Sequence, residues 1–101
     1  AAEPVKVQGN AAVWHDLKDR VESRLDIPAY TCKGQGEVAV RVVVDRDGAV
    51  RKHEVDAAAS TTNDECMIER ALASAAVARF NFSPAAPDPQ RGTIHYVFVA
   101  Q

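Results

Sequence analysis

The sequence predicts a small, two-layer α+β domain in which a helix packs on a three-stranded antiparallel sheet. Three observations carry this prediction: alternating valines from Glu37 to Asp45, an Asp47-Gly48 turn directly after them, and a helix-start signal at 62–65. A chain of 101 residues has room for one hydrophobic core. Its 47% hydrophobic and 26% charged residues are typical of a chain that folds.

The N-terminal quarter predicts a flexible arm followed by a helix. Residues 1–10 include Pro4 and Gly9 and have no periodicity, so we expect an arm or linker there and a domain over 11–101. From Ala11 to Leu25, apolar residues recur at spacings of three and four, as in an amphipathic helix. These residues are Val13, Trp14, Leu17, Val21 and Leu25. Pro28 would end this helix, which leaves 26–36 as a connection.

Two strands are predicted to form a hairpin. In Glu37–Asp45 every second residue from Val38 to Val44 is valine, and apolar residues also occur on the other face, which favours a central strand. The Asp-Gly turn leads into a second strand over 49–57. Because Val50 and Val55 differ in parity, we expect a β-bulge near Arg51 or Lys52.

The last third of the chain predicts a helix and a final strand. Thr62 and Glu65 have the spacing of a capping box, so a helix should follow and end near Phe80. After a Pro-rich connection, Thr93–Ala100 alternates again. A right-handed crossover would place this third strand beside the first. The predicted sheet order is therefore two-one-three, with the last strand at an edge.

Composition argues against several functions. A net charge of −2 offers no electrostatic footprint for nucleic acid or anionic lipid, and no stretch approaches the roughly 20 apolar residues of a membrane-spanning helix. His53 and His95 would lie on strands separated by the central one, roughly 10 Å apart, so we expect no metal site and no cofactor. The acidic pairs at 45/47 and 64/65 have local roles in a turn and a helix start. We therefore expect no catalytic residues and no enzyme.

The two cysteines are predicted to form a disulfide. Cys32 precedes the first strand and Cys66 lies in the first turn of the helix after the second strand, so both fall at one end of the sheet. The alternative is two unpaired thiols, with Cys66 buried on the helix. An even number of cysteines in a small domain fits an oxidising compartment.

Three segments together resemble the C-terminal domain of TonB: Gly36–Val38, Asp45–Val50 and Phe80–Pro84. The resemblance covers Tyr30 to Ala100. The sequence departs from the family pattern at Thr31, where proline is usual, at Phe80, where tryptophan is common, and in its cysteine pair. The segments 61–63 and 92–94 look like Bacteroidetes-type variants of the family.

The resemblance implies a periplasmic domain of an energy transducer in the cell envelope. Such a protein is anchored in the inner membrane, contacts an inner-membrane complex through a region N-terminal to this sequence, and supports transport by gripping an extended segment of an outer-membrane receptor. An open sheet edge can bind such a segment by strand addition (β-augmentation). We therefore expect a partner-binding edge on the last strand, with these residues: Thr93, His95, Val97 and Val99.

Two alternatives stay open. The last strand could be covered by the N-terminal arm or by a second copy of the domain, because proteins commonly protect exposed edges. The domain could also be an adaptor or sensor module attached to another membrane protein.

Overall fold

The computed structural model describes residues 5–100, which form seven strands and one helix. The strands are β1 (Lys6–Gln8), β2 (Ala11–His15), β3 (Glu22–Arg24), β4 (Gly36–Val44), β5 (Val50–Val55), β6 (Arg79–Phe80) and β7 (Gln90–Phe98), and the helix is α1 (Glu65–Val77). Five strands form one antiparallel sheet in the order β1-β2-β7-β4-β5, and β3 pairs with β6 in a separate ribbon.

The predicted hairpin and its bulge are confirmed as β4 and β5. Val43 lies opposite Lys52 and Val44 lies opposite Val50, so Arg51 is the extra residue of the bulge. The turn needs glycine at position 48, where φ is +95° and a Cβ atom would overlap the carbonyl oxygen of Phe80. The turn is thereby packed directly against β6.

The core lies between α1 and one face of the five-stranded sheet, which we call the inner face. Alternate residues of the three central strands contribute to it and are almost completely buried: Val13, Val38, Val40, Val42, Val44, Ile94, Tyr96 and Phe98. Met67, Ala71 and Ala75 cover them from α1. Within residues 5–100, no helix packs on the opposite face of the sheet, which is called the outer face below.

The helix is confirmed, but its ends differ from the prediction. Asp64, and not Thr62, is the N-cap: its carboxylate accepts the Met67 N–H at 3.1 Å. The helix ends at Val77. The helix was expected to end near Phe80; it ends three residues earlier, because Arg79 and Phe80 form β6.

The predicted N-terminal helix over 11–25 is wrong, because residues 11–15 form β2. This strand pairs along β7, with Val13 opposite Tyr96 and His15 opposite Ile94. Val21, assigned to the apolar side of that helix, is 61% exposed. A strand partner about 80 residues away leaves no trace in local periodicity, and cross-strand packing overrides the local preference.

The predicted three-stranded sheet with β7 at its edge is also wrong. The order β5-β4-β7 agrees with the predicted two-one-three arrangement, but β2 pairs with the other side of β7, and β1 extends the sheet further. Residues 6–8 of the predicted flexible arm therefore form a strand, while residues 1–4 lie outside the described residues.

A buried arginine fixes the connection that follows β2. Arg20 is 0% exposed, and its guanidinium donates to the carbonyl oxygens of Asn81 (2.6 Å), Asp45 (2.7 Å) and Arg46 (3.4 Å). Its Nε donates to the side-chain oxygen of Gln90 at 2.9 Å. One side chain thus joins the hairpin turn, the end of β6 and the start of β7.

The hairpin turn is also held by Asp45. Its carboxylate accepts the Ala49 N–H at 2.9 Å and the Arg51 Nε at 2.7 Å. The Ala49 amide is the main cause that lowers the pKa of Asp45 from its usual value; desolvation opposes the shift, and Arg51 and the Gly48 amide add to it. The charged form of Asp45 is therefore favoured by folding.

We expect the free energy of unfolding of Asp45→Asn to fall less steeply than that of the wild type as the pH is lowered. A lowered pKa contributes stability that is present above the unfolded value of about 3.9 and is lost as pH falls through the folded value. The variant should lose stability at pH 7 and approach the wild type near the acid limit. Urea unfolding at a series of pH values measures this, with Asp47→Asn, an exposed position in the same turn, as control. Parallel curves for wild type and Asp45→Asn would contradict the prediction.

Candidate functional site

The structure places three of the four predicted partner-binding residues on the outer face of a central strand. Thr93, His95 and Val97 alternate along β7 and are half-buried. Val99 lies beyond the strand, is 49% exposed, and its N–H donates to the Asn10 carbonyl at 2.9 Å. Because β7 is paired on both sides, its backbone offers no edge for an added strand. A role for these side chains in binding stays a prediction.

One part of the outer face is aromatic. The rings of Trp14 and His95 stack with centroids 3.9 Å apart and an interplanar angle of 10°. Asp16 lies at the end of this pair: one carboxylate oxygen is 3.9 Å from the His95 Nε2, and the other accepts the Thr93 N–H at 2.6 Å. The stack covers the pairing of β2 with β7, so β2 is bound to the sheet by side chains as well as by its backbone.

The other part of the outer face is a basic groove over β7, β4 and β5. The sheet register forms two cross-strand rows there, Arg91–Val43–Lys52 and Thr93–Arg41–Glu54. The groove has a volume of about 750 Å³. Four of its lining side chains are cationic, and one is a carboxylate: Arg41, Arg51, Lys52, Arg91 and Glu54. We call this surface the basic groove.

The edge of the sheet next to the basic groove is formed by β5. The Asp56 N–H donates to the Ala39 carbonyl at 2.8 Å, which makes this pair a hydrogen-bonded one. Since such pairs alternate along an antiparallel ladder, the N–H and C=O groups of His53 and Val55 point away from β4. Within residues 5–100, no hydrogen bond reaches these four groups.

Only part of the β5 edge is open, because β6 covers the rest. β6 occupies the stretch nearest the hairpin turn, where the Phe80 N–H donates to the Gly48 carbonyl at 2.9 Å and Ala49 bridges Arg79. Beyond it, residues 51–54 are exposed. An extended segment bound here would lie in line with β6.

The predicted disulfide between Cys32 and Cys66 is confirmed, with Cα atoms 5.9 Å apart. It joins the loop before β4 to the first turn of α1. In the same loop the Tyr30 hydroxyl donates to the carbonyl oxygens of Lys33 and Gly34. Desolvation, and then the charge of Asp64, raise the pKa of the Tyr30 phenol, so the hydroxyl keeps its proton and remains a donor.

Residues 5–100 contain no group of three or more His, Cys, Asp or Glu side chains that could hold a metal ion. In the same range, no helix combines the length and the apolar character that crossing a bilayer requires.

Sequence reasoning missed the basic groove. It began the last strand at Thr93, whereas β7 begins at Gln90, so Arg91 was left in a loop. Extending the same alternation backwards by one step would have placed Arg91 on the face of Thr93, His95 and Val97.

Comparisons with protein-family models, with curated proteins and with solved structures give no match.

Proposed function

We propose that this chain is a periplasmic, non-catalytic protein-binding domain that captures an extended segment of an outer-membrane receptor along the edge of β5. In this role it acts like the C-terminal domain of a TonB-type energy transducer. The proposed mode of binding is strand addition. The sequence suggested it for β7, but β7 is paired on both sides, so we propose the edge of β5 instead.

The open backbone of β5 carries this proposal. The outward N–H and C=O groups of His53 and Val55 can pair with an extended peptide, and main-chain hydrogen bonds of this kind supply affinity in strand addition. At the opposite edge, β1 pairs over three residues only. Lys52 and the bulge at Arg51 are features that protect an exposed edge strand against non-specific pairing with the sheet of another molecule.

Two further observations support the proposal. The Cys32–Cys66 disulfide fits a compartment outside the reducing cytosol, as the periplasm is. The order β5-β4-β7 within the sheet also agrees with the two-one-three order that the sequence predicts.

The test is to select peptides from a random phage-displayed library on the oxidised domain and to measure their binding to edge variants. We expect His53→Pro to weaken binding at least about tenfold, because proline removes an outward N–H that a bound strand would use. His53→Ala, which keeps the N–H, should bind as the wild type does. Thermal unfolding checks that both variants fold.

Amide chemical shifts locate the bound peptide. The largest changes should fall on 51–55. Peptides that bind His53→Pro as tightly as His53→Ala, or that shift only the amides of β1 and β2, would refute strand addition at β5.

A further inference from the structure

We propose that the basic groove selects an acidic segment of the partner protein, whose carboxylates bind Arg91 and Lys52. This inference rests on the proposed function, since it names the chemistry of the partner that the domain binds.

Two of the four cations of the basic groove are already paired with carboxylates. Arg41 is paired with Glu54 at 3.3 Å, and Arg51 is paired with Asp45 at 2.7 Å. Arg91 and Lys52 have no ion pair within residues 5–100. Two exposed cations therefore face solvent from the two sides of the same cross-strand row, although the whole chain has a net charge of −2.

The two cations that are unpaired within residues 5–100 are suited to binding carboxylates. A guanidinium presents N–H groups in a planar fork that matches a carboxylate, and an ammonium adds a compact charge with three donors. Val43 lies between Arg91 and Lys52 in the row and is half-buried, so the floor between them is apolar. An extended chain that alternates acidic and small apolar side chains complements this surface.

The position of Lys52 connects the basic groove with the edge. Lys52 belongs to β5 and projects from the outer face. In an antiparallel pair, directly opposite side chains on one face lie about 4.5–5.5 Å apart at Cβ. An acidic residue of an added strand, on the outer face, would therefore reach Lys52 directly, and the residues that follow it could turn across the groove towards Arg91.

An acidic protein segment fits better than an anionic membrane. Peripheral membrane binding combines basic residues with exposed large apolar side chains that enter the interface. The exposed large apolar residues of the described chain lie elsewhere, and none lines the basic groove: Val5, Val7, Val21, Val77, Phe82 and Val99.

Two synthetic peptides test the proposal, one of alternating Thr and Glu and one of alternating Thr and Gln. In NMR titrations to millimolar peptide at low salt, the Glu peptide should shift the side-chain N–H signal of Arg91 and the amide of Lys52, and the Gln peptide should not. Raising ionic strength from about 0.01 M to about 1 M shortens the Debye length from about 30 Å to 3 Å and should abolish these shifts. No groove shift with the Glu peptide, or equal shifts with both, overturns the proposal.

Charge reversal provides the matched comparison. The double variant Lys52→Glu/Arg91→Glu should bind the Glu peptide at least about tenfold more weakly, because each reversal turns an attraction into a repulsion. Lys18→Glu/Lys33→Glu changes the net charge equally at exposed positions outside the groove and should bind as the wild type does. Equal losses in both double variants would mean that net charge alone matters, and the proposal would fail.

The same variants distinguish strand addition at β5 from binding in the basic groove, and two other anionic probes test the chemical class of the partner. Binding that survives charge reversal but not His53→Pro would support the edge and refute the groove; the reverse would support the groove and refute the edge. Vesicles of phosphatidylglycerol and a heparin fragment serve as further probes. If either binds in a groove-dependent way while the Glu peptide does not, the partner is not an acidic protein segment.

Discussion

Replacing Arg20 with methionine should destabilise the domain by at least about 2 kcal/mol. The substitution removes the donors that Arg20 supplies from a buried position. The carbonyl oxygens of Asp45 and Arg46 each keep a hydrogen bond, from the Gly48 and Ser83 amides, but the Asn81 carbonyl and the Gln90 side-chain oxygen lose their donor. Each unsatisfied buried polar group costs about 1–3 kcal/mol. Because small domains have a total stability of about 5–15 kcal/mol, this single change removes a large part of it.

Urea unfolding followed by circular dichroism measures the effect, and Arg24→Met is the matched control. Arg24 is exposed, with an ion pair to Asp26 at 3.0 Å, and such surface pairs contribute about 0–1 kcal/mol. Arg20→Lys keeps the charge but not the fork of donors, so its stability should lie between those of wild type and Arg20→Met. Equal unfolding midpoints for the two methionine variants would show that the buried network contributes little.

Removing the Cys32–Cys66 disulfide should have an effect of similar size. The bridge spans 34 residues of sequence, and in the loop-entropy description closing such a loop stabilises the folded state by about 3–4 kcal/mol. Unfolding should therefore shift to lower urea concentration when the protein is reduced, or when both cysteines are replaced by serine.

The control is the serine double variant with and without reductant. Its unfolding midpoint should not change, whereas that of the wild type should fall to meet it. A wild-type midpoint that is insensitive to complete reduction would contradict the prediction. Alkylation followed by intact mass confirms that reduction was complete.

Local signals predicted the β4–β5 hairpin, the helix α1 and most of β7, but not β6 or the start of β7. The hairpin, its bulge and the helix depend on neighbours in sequence: alternation, an Asp-Gly pair and a first-turn carboxylate. The disulfide joins residues 34 apart, and the predicted hairpin placed both of them at one end of the sheet. The N-terminal third depends on distant partners. His15 is 2% exposed and hydrogen-bonds Glu22. Trp14, expected to be partly buried at the core edge of a helix, is half-buried on the outer face of the sheet, where it stacks on His95.

The candidate site was harder to predict for the same reason. Thr93, His95 and Val97 were placed on one face correctly, but whether β7 has a free edge depends on β2, which had been assigned to a helix. The basic groove needs the register of three strands at once. Val43 meets Lys52 through the local hairpin, but it meets Arg91 only through a pairing with a strand 48 residues further along the chain.

The sheet order has a mechanical consequence. Residue 5 leads into β1 at one border of the sheet, and the open backbone of β5 forms the opposite border. Tension between a tether before β1 and a segment held by β5 would pass through four ladders in series: β1 to β2, β2 to β7, β7 to β4, and β4 to β5. The β1–β2 ladder is the shortest, with three residue pairs, and would separate first. The Trp14–His95 stack reinforces the β2–β7 ladder. A force that separates β1 from β2 would therefore still leave the other four strands paired, with the bound segment attached to β5.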